Sequence, residues 1–377
     1  MHLTTLETPC LILDKAKLQK NIRNLSARMK ALGVNLRPHG KTAKNIDVIT
    51  MALKGQEGGI TVSTLKEAEY YFEKGITDIV YAVGIAPVKL PRIFLLMDKG
   101  AEITVLLDSA EQVRFVAEAA AEHGVTVPAL IELDCDGHRS GITLEGDDLI
   151  AIGTLLHNEH GVSLKGVLTH AGESYQCRST EAIRAMAEQE RSMAVACAEA
   201  LRASGLPCPV VSVGSTPTSN FAEDLTGVTE VRAGVYMFYD LVMAGLGVCK
   251  EEDIAVSVLA SVIGRQKRKG WVITDAGWMA MSRDRGTATQ ALDQGYGRVC
   301  GVDGAPLSDL IVSGANQEHG IVSHREDREI PWASCGIGSM VRILPNHACA
   351  TGAMYDRYHV VDETGEVVDT WHRVNGW

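Results

Sequence analysis

IVYAV at residues 79–83 and EITVLL at residues 102–107 are two short runs of apolar and β-branched residues, separated by a segment with helical character. Neither run alternates cleanly between apolar and polar residues. Such a composition is typical of parallel strands that are buried on both faces, whereas a strand with one solvated face alternates. This sequence of strand, helix and strand therefore predicts an α/β fold with a parallel sheet.

The same pattern repeats on both sides of this stretch. Between about Val34 and Gly234, eight β-type runs follow one another, and helix signals lie between them. Eight strand–helix repeats within roughly 200 residues predict a (β/α)8 barrel, the TIM-like architecture. The runs are Val34–Pro38, Gly59–Ser63, Ile79–Val83, Glu102–Leu107, Pro128–Asp134, Gly166–His170, Pro209–Val213 and Thr229–Ala233.

The pattern changes after about Gly247. Ile254–Ile263 alternates and is rich in β-branched residues, and later β-type runs have few helical stretches between them. This predicts a second, mostly β domain. We place the barrel at residues 14–248 and the β domain at residues 249–377, and we expect residues 1–13 to pack with the β domain. The later runs are Trp271–Thr274, Leu310–Val312, Met340–Leu344, Tyr358–Val361 and Glu366–Trp371.

The composition excludes several classes of protein. The 377 residues are 46% apolar and 22% charged, which argues against a disordered chain, a collagen-like repeat and a coiled coil. The net charge is −11 and no basic patch stands out, so nucleic acid is not an expected partner. There is no run of about 18 apolar residues to span a membrane, and Met1–Thr5 lacks the pattern of a secretory signal. Nine cysteines without a CxxC pair indicate reduced thiols, so a cytoplasmic location is expected.

The loops that follow the barrel strands carry the first chemical signal, because active sites of such barrels lie at the C-terminal ends of the strands. Lys41 follows the first run, on a loop that Pro38 and Gly40 fix, and a desolvated lysine near other cations can form an imine. Gly214–Thr216 follows the seventh run and Tyr236 the eighth, where backbone and hydroxyl groups can hold a phosphate. A solvated lysine and an ordinary helix cap give the same two patterns separately. Together they predict pyridoxal phosphate, which needs both.

A His347-x-Cys349 pair in the β domain is the second chemical signal. On an extended segment, side chains two residues apart point to the same side. Imidazole nitrogen and thiolate sulfur are donors that zinc prefers, and two protein ligands leave positions open for water and substrate. Taken alone, the pair is more simply interpreted as a core histidine beside a free cysteine.

Five motifs and two further stretches carry a resemblance to a known family. The motifs are Arg37–Thr42, Thr61–Glu69, Gly214–Thr218, Asp275–Trp278 and Pro345–Cys349, and the further stretches are Ala276–Thr287 and Gly314–Gly320. Taken together, the motifs resemble the zinc- and pyridoxal-phosphate-dependent D-serine dehydratases and D-threonine aldolases, which share the alanine-racemase-like barrel. The two stretches are similar to the D-threo-3-hydroxyaspartate dehydratase branch, and the resemblance covers nearly the whole chain.

The resemblance implies a role for individual residues. Lys41 matches the catalytic lysine that binds the cofactor aldehyde. His347 and Cys349 match the ligands of zinc, or of another divalent metal such as manganese or cobalt. His170 and Tyr175 are expected to line the site, although either can instead pack its own loop. The remaining cofactor contacts that the resemblance implies are Arg139 beside the ring and Gly214, Ser215, Thr216 and Tyr236 at the phosphate.

The metal ligand bears on the reaction. Related aldolases tend to carry His-x-Asp where this chain has His347-x-Cys349, so Cys349 favours the elimination of water. The resemblance therefore implies a dehydratase, a carbon–oxygen lyase, that converts D-threo-3-hydroxyaspartate or D-serine to a 2-oxo acid. An aldolase for D-threonine or D-3-hydroxyaspartate is the alternative, and a racemase or a non-catalytic cofactor carrier weighs less. The second carboxylate of 3-hydroxyaspartate would need a cation, which Arg283 or Arg285 can supply. A homodimer is also implied.

Overall fold

The chain forms two compact units, and the computed structural model describes all of its residues, Met1–Trp377. The barrel unit consists of Asn24–Gly234 and Val374–Trp377, and the β unit consists of Met1–Arg23 and Val235–Arg373. None of the helices combines the length and the apolar character that crossing a bilayer requires.

Eight parallel strands form the sheet of the barrel unit, and we number them 1 to 8 along the chain. Strand 1 pairs with strand 8, the others follow in sequence down to strand 2, and a bridge between His39 and Thr61 nearly closes the ring. Most apolar side chains of these strands are buried, as the composition of the runs predicts, and Val83 is an exposed exception. The (β/α)8 prediction is confirmed. The strands are Asn35–Pro38, Ile60–Val62, Asp78–Gly84, Glu102–Leu107, Val127–Leu133, Val162–Thr169, Val210–Val213 and Glu230–Ala233.

Helices alternate with these strands, and polar caps fix where they begin. Ser109, for example, accepts a hydrogen bond from the backbone N–H of Gln112, and Gly124 ends the same helix in the left-handed region at φ 80°. The α-helices from the amino terminus to the end of the barrel unit are Lys15–Ala31, Gly40–Ala43, Ile46–Leu53, Leu65–Glu73, Leu90–Asp98, Ala110–His123, Asp148–Asn158, Thr180–Ala203 and Thr216–Phe221.

Strand 6 begins at Val162, four positions before the predicted start at Gly166. In Val162–Lys165, the buried residues Val162 and Leu164 alternate with the less buried residues Ser163 and Lys165. Gly166 has φ 142° and lies where the register against strand 5 shifts. The glycine therefore marks a bulge within the strand and not its beginning.

A nine-stranded, mostly antiparallel sheet forms the β unit, which confirms the predicted mostly β domain. Cys10–Asp14 lies between Val256–Gln266, to which it is antiparallel, and Arg357–Val361, to which it is parallel. Three of the nine strands are not predicted by the sequence pattern, namely Cys10–Asp14, Gly297–Cys300 and Gly320–His324. The other strands are Trp271–Thr274, Pro306–Ala315, Met340–Pro345 and Val367–His372, and the α-helices are Leu241–Gly245, Trp278–Met281 and Ala348–Gly352.

Candidate active site

Lys41 lies on a tight turn at the C-terminal end of strand 1. The turn passes directly into the helix Gly40–Ala43, where the Nδ1 atom of His39 accepts a hydrogen bond from the backbone N–H of Lys41 at 3.4 Å. A side chain at Gly40 would place its Cβ 2.6 Å from the ring of Tyr71, so only glycine fits there. The side chain of Lys41 is exposed. Its position is where active-site residues of such barrels are found.

Two neutral imidazoles lie at the same end of the barrel. Burial, followed by the positive charges of Lys41 and Arg232, holds the pKa of His39 well below its usual range. Burial also lowers the pKa of His170 to about 3, and the charges of Lys41, Arg232 and Arg139 act in the same direction. The Nδ1 atom of His170 donates to the carbonyl of Gly214 at 2.9 Å, so Nε2 carries the lone pair. Three cations, Lys41, Arg139 and Arg232, thus act on His170 at this end of the barrel, which we call the barrel mouth.

The predicted phosphate loop, Gly214–Thr216, is buried and tightly held. Gly214 has φ 133°, and a Cβ there would meet the carbonyl oxygen of Arg232 at 2.3 Å. Ser215 begins the helix Thr216–Phe221, and its Oγ accepts from the backbone N–H of Thr218 at 3.1 Å while its own N–H donates to Thr218 Oγ1 at 3.1 Å. Ser215 is therefore an N-cap, and its contact with a phosphate stays a prediction.

The other two predicted residues of the barrel differ in exposure. Tyr175 is half-buried in the turn Gly172–Gln176, with its ring centre 6.3 Å from that of His170. Arg139 lies on the loop after strand 5, its side chain is 58% exposed, and it meets Glu132 at 3.3 Å. Its positive charge still lowers the pKa of His170, so Arg139 acts electrostatically on the barrel mouth.

Tyr236, His347 and Cys349 belong to the β unit. Tyr236 is fully buried in the turn Val235–Met237, and burial raises the pKa of its hydroxyl. His347 follows the strand Met340–Pro345 and begins the helix Ala348–Gly352. Cys349 is therefore helical, and the extended geometry predicted for the pair is wrong. Alanines at 348 and 350 favour the helix, and its first turn allows a hydrogen bond between the side chains of Cys349 and His347.

Two carboxylates that the sequence pattern does not predict hold Asn346–Cys349, the segment with the predicted metal ligands, which we call the metal loop. Asp284 Oδ2 lies 2.6 Å from His347 Nδ1, and Asp240 Oδ2 accepts from the backbone N–H of Ala348 at 3.0 Å. Although burial lowers the pKa of His347, the bonds to Asp284 and Cys349 raise it to about 11. Neither carboxylate lies near the loop in sequence, and no spacing pattern signals the contact.

Comparisons with known proteins match both parts of the chain. The family model of the alanine racemase N-terminal domain matches residues 13–241, and that of a serine dehydratase domain matches residues 255–361. D-threo-3-hydroxyaspartate dehydratase of Delftia sp. HT23 is 51% identical over 100% of this chain and 99% of its own length. Superposition on its solved structure gives a TM-score of 0.96 and covers 100% of both chains.

More distant relatives include a dehydratase and an aldolase. D-serine dehydratase of Dictyostelium discoideum is 30% identical over 100% of this chain and 98% of its own length. 3-Hydroxy-D-aspartate aldolase of Paracoccus denitrificans is 28% identical over 98% of this chain and 92% of its own length. Solved structures of the D-threo-3-hydroxyaspartate dehydratase include a histidine-to-alanine mutant and a cysteine-to-alanine mutant in the metal-free form, at positions two residues apart. The chain belongs to the alanine-racemase-like family that contains the D-threo-3-hydroxyaspartate and D-serine dehydratases.

Proposed function

We propose that this chain is a dehydratase that eliminates water from a 3-hydroxy-D-amino acid, with D-threo-3-hydroxyaspartate as the first candidate substrate and D-serine as the second. The released enamine tautomerises and loses ammonia by hydrolysis, which leaves a 2-oxo acid. The observation that carries the proposal is 51% identity to a D-threo-3-hydroxyaspartate dehydratase over the full length of both chains. We propose pyridoxal phosphate and zinc as cofactors, with manganese or cobalt as alternative metals. The homodimer and the cytoplasmic location stay predictions.

The residues of the barrel mouth fit pyridoxal phosphate. Lys41 offers an exposed amine, and Gly214 lets its backbone pack closely against that of Arg232. The positive charges of Lys41, Arg232 and Arg139 act on His170 at the same end of the barrel. These are the groups needed by an aldehyde that carries a phosphate. The cofactor would be held in the barrel unit by Lys41, Arg139, His170, Tyr175 and Gly214–Thr216. A role of Tyr236 at the phosphate stays a prediction from the sequence.

The metal loop fits zinc by its donor atoms. His347 and Cys349 supply nitrogen and sulfur, and Asp284 binds the imidazole at Nδ1, which leaves Nε2 as the ligand atom. A carboxylate on the second nitrogen of a ligating histidine is a common arrangement in zinc proteins. In the D-threo-3-hydroxyaspartate dehydratase, the cysteine replaced in the metal-free mutant structure lies two positions after the histidine replaced in the other mutant. His347 and Cys349 have the same spacing.

Lys41 is the base that the barrel mouth offers. When bound, pyridoxal phosphate supplies an electron sink that acidifies the Cα–H of the substrate. His39 and His170 are weak bases because their pKa values are low, so we assign the Cα proton to Lys41 Nζ. A divalent metal, when bound, supplies a Lewis acid for the departing hydroxyl. Asp284 fixes the orientation of the His347 ring for that role.

An aldolase would use the same residues, and the aldolase relative keeps this alternative open. The products separate the two reactions. Purified protein supplied with both cofactors is incubated with D- and L-serine, D-threonine and the isomers of 3-hydroxyaspartate. Equal amounts of a 2-oxo acid and ammonia from a D-isomer support the dehydratase, whereas glycine and an aldehyde identify an aldolase. Preference for L-isomers would contradict the stereochemistry of the proposal.

Asp284→Ala is expected to weaken zinc binding by about 10- to 100-fold, the usual cost of losing a carboxylate that orients a metal-bound histidine. The mutation leaves His347 Nδ1 without its partner at 2.6 Å. Competition with a chromophoric chelator measures the affinity. Asp303→Ala, at an exposed position of the same unit, is the matched control. Equal zinc affinity in the Asp284→Ala variant and the wild type would remove Asp284 from the site.

Arg283→Ala is expected to lower kcat/KM for D-threo-3-hydroxyaspartate by about 10- to 100-fold and to change D-serine turnover little, because a charged hydrogen-bonded pair contributes about 1.5–3 kcal/mol. The guanidinium carbon of Arg283 lies 4.9 Å from the ring centre of Trp278, and Arg283 takes part in no ion pair. Arg285, in contrast, forms an ion pair with Asp293, with 2.8 Å between Nη2 and Oδ2. Arg283 also directly precedes Asp284, which binds His347. Steady-state kinetics on both substrates provide the measurement, and a parallel loss on both would show a general role.

A further inference from the structure

Glu190 is a buried carboxyl group that contacts two segments of the barrel mouth, one at Ala171 and the other at Gly214–Thr218. It lies on the helix Thr180–Ala203 and is only 1% exposed. Its Oε1 accepts from the backbone N–H groups of Ala171 at 2.9 Å and Gly214 at 3.0 Å, and its Oε2 accepts from Thr218 Oγ1 at 2.8 Å. A buried glutamate is rare and costly unless its oxygens are satisfied, and here all of its hydrogen-bond partners are uncharged.

These contacts hold both ends of the Gly214–Thr218 turn, which contains the predicted phosphate loop. The N–H of Gly214 points to Glu190 and its carbonyl accepts from His170, so the peptide groups on either side of Gly214 cannot rotate. Thr218 completes the cap with Ser215 and then donates to Glu190. Ala171 follows His170 directly, so the same carboxyl also fixes the end of strand 6 that carries this imidazole.

We propose that Glu190 is a positioning residue that sets the geometry of the Gly214–Thr218 turn for the phosphate of the cofactor, and this inference rests on the proposed function. It has no contact with the cofactor in this proposal. It acts through the main chain of Gly214 and the hydroxyl of Thr218. A merely structural role would affect the binding of every ligand of the mouth equally, whereas a role in setting this turn affects those that carry a phosphate.

The test compares pyridoxal phosphate with pyridoxal, which lacks the phosphate, by absorbance titration of the full-length apo-protein. Glu190→Ala leaves two buried N–H groups without an acceptor. We expect it to raise the Kd of pyridoxal phosphate by at least about tenfold, the ratio that about 1.4 kcal/mol produces, and to change the Kd of pyridoxal less than about twofold. Glu190→Gln keeps an oxygen for both N–H groups and an amide for Thr218. It should therefore bind pyridoxal phosphate nearly as the wild type does.

Glu188→Ala, at an exposed position two residues away on the same helix, is the control and should bind both ligands as the wild type does. Thr218→Val removes the hydroxyl that links the turn to Glu190. If the Glu190→Ala protein does not fold, the same comparison of pyridoxal phosphate with pyridoxal is made on Thr218→Val, and a selective loss of pyridoxal phosphate binding is again expected. Equal losses for both ligands, or no loss in either variant, would overturn the inference. Failure of the wild type to bind pyridoxal phosphate would instead refute the proposed function.

Discussion

Lys41→Ala is expected to lose the visible absorbance of the bound cofactor and to lower kcat/KM by at least about 1,000-fold. The variant lacks the amine that we propose binds the aldehyde. It also lacks the proposed base for the Cα proton, a role that alone contributes about 10²- to 10⁴-fold. The side chain is exposed, so the free energy of unfolding of the apo-protein should change by no more than about 0.5 kcal/mol. Absorbance spectra and steady-state kinetics measure both effects. Wild-type spectra and turnover in this variant would contradict the cofactor assignment.

Lys41→Arg is the matched control, because it keeps the charge and removes the reactive amine. Both variants should be inactive, yet they should differ at His170. The positive charge of Lys41 is one cause of the low pKa of His170, which is about 3. The alanine variant removes that charge, so the pKa of His170 should rise, whereas the arginine variant should keep it low. Titration of the histidine ring protons by NMR detects the difference.

The positions of Lys41 and of Gly214–Thr216 at the C-terminal ends of barrel strands could be predicted because they depend on local sequence. Buried parallel strands have a recognisable composition, and the residues that follow them lie at one end of the barrel. The strand Cys10–Asp14 could not be predicted in the same way. It pairs with Val256–Leu259, so the partner that makes it a strand is far away in the chain.

The roles of Asp284 and Glu190 could not be predicted from the sequence because their partners are also distant in the chain. Asp284 binds His347 and Glu190 binds Gly214 through contacts between distant segments, and isolated acidic residues on a helix or a loop give no signal. The helical geometry of Cys349 is different, since Ala348 and Ala350 are strong helix formers. Their helix propensity argues against the extended geometry predicted for the His-x-Cys pair.

Cys349→Ala is expected to abolish turnover, to below about 1% of the wild-type rate, and to leave the visible absorbance of the bound cofactor in place. The variant removes one of the two proposed protein ligands of the metal, and an imidazole alone binds a divalent cation weakly. Removing zinc from the wild type with a chelator should give the same result, and adding zinc back should restore the wild type only. Metal analysis, spectra and 2-oxo acid formation are the measurements. Full turnover of the chelated wild type would exclude zinc from the chemistry.

Two further substitutions define what the thiolate contributes. Cys177→Ala, at a half-buried cysteine of the barrel unit, should retain both metal and turnover, which rules out a general effect of cysteine loss. Cys349→Asp restores a metal ligand and creates the His-x-Asp pattern that related aldolases tend to carry. If ligand identity favours one reaction, this variant should bind metal and form relatively more glycine and aldehyde. If it binds metal and forms only the 2-oxo acid, residues outside the ligand pair determine which bond of the substrate breaks.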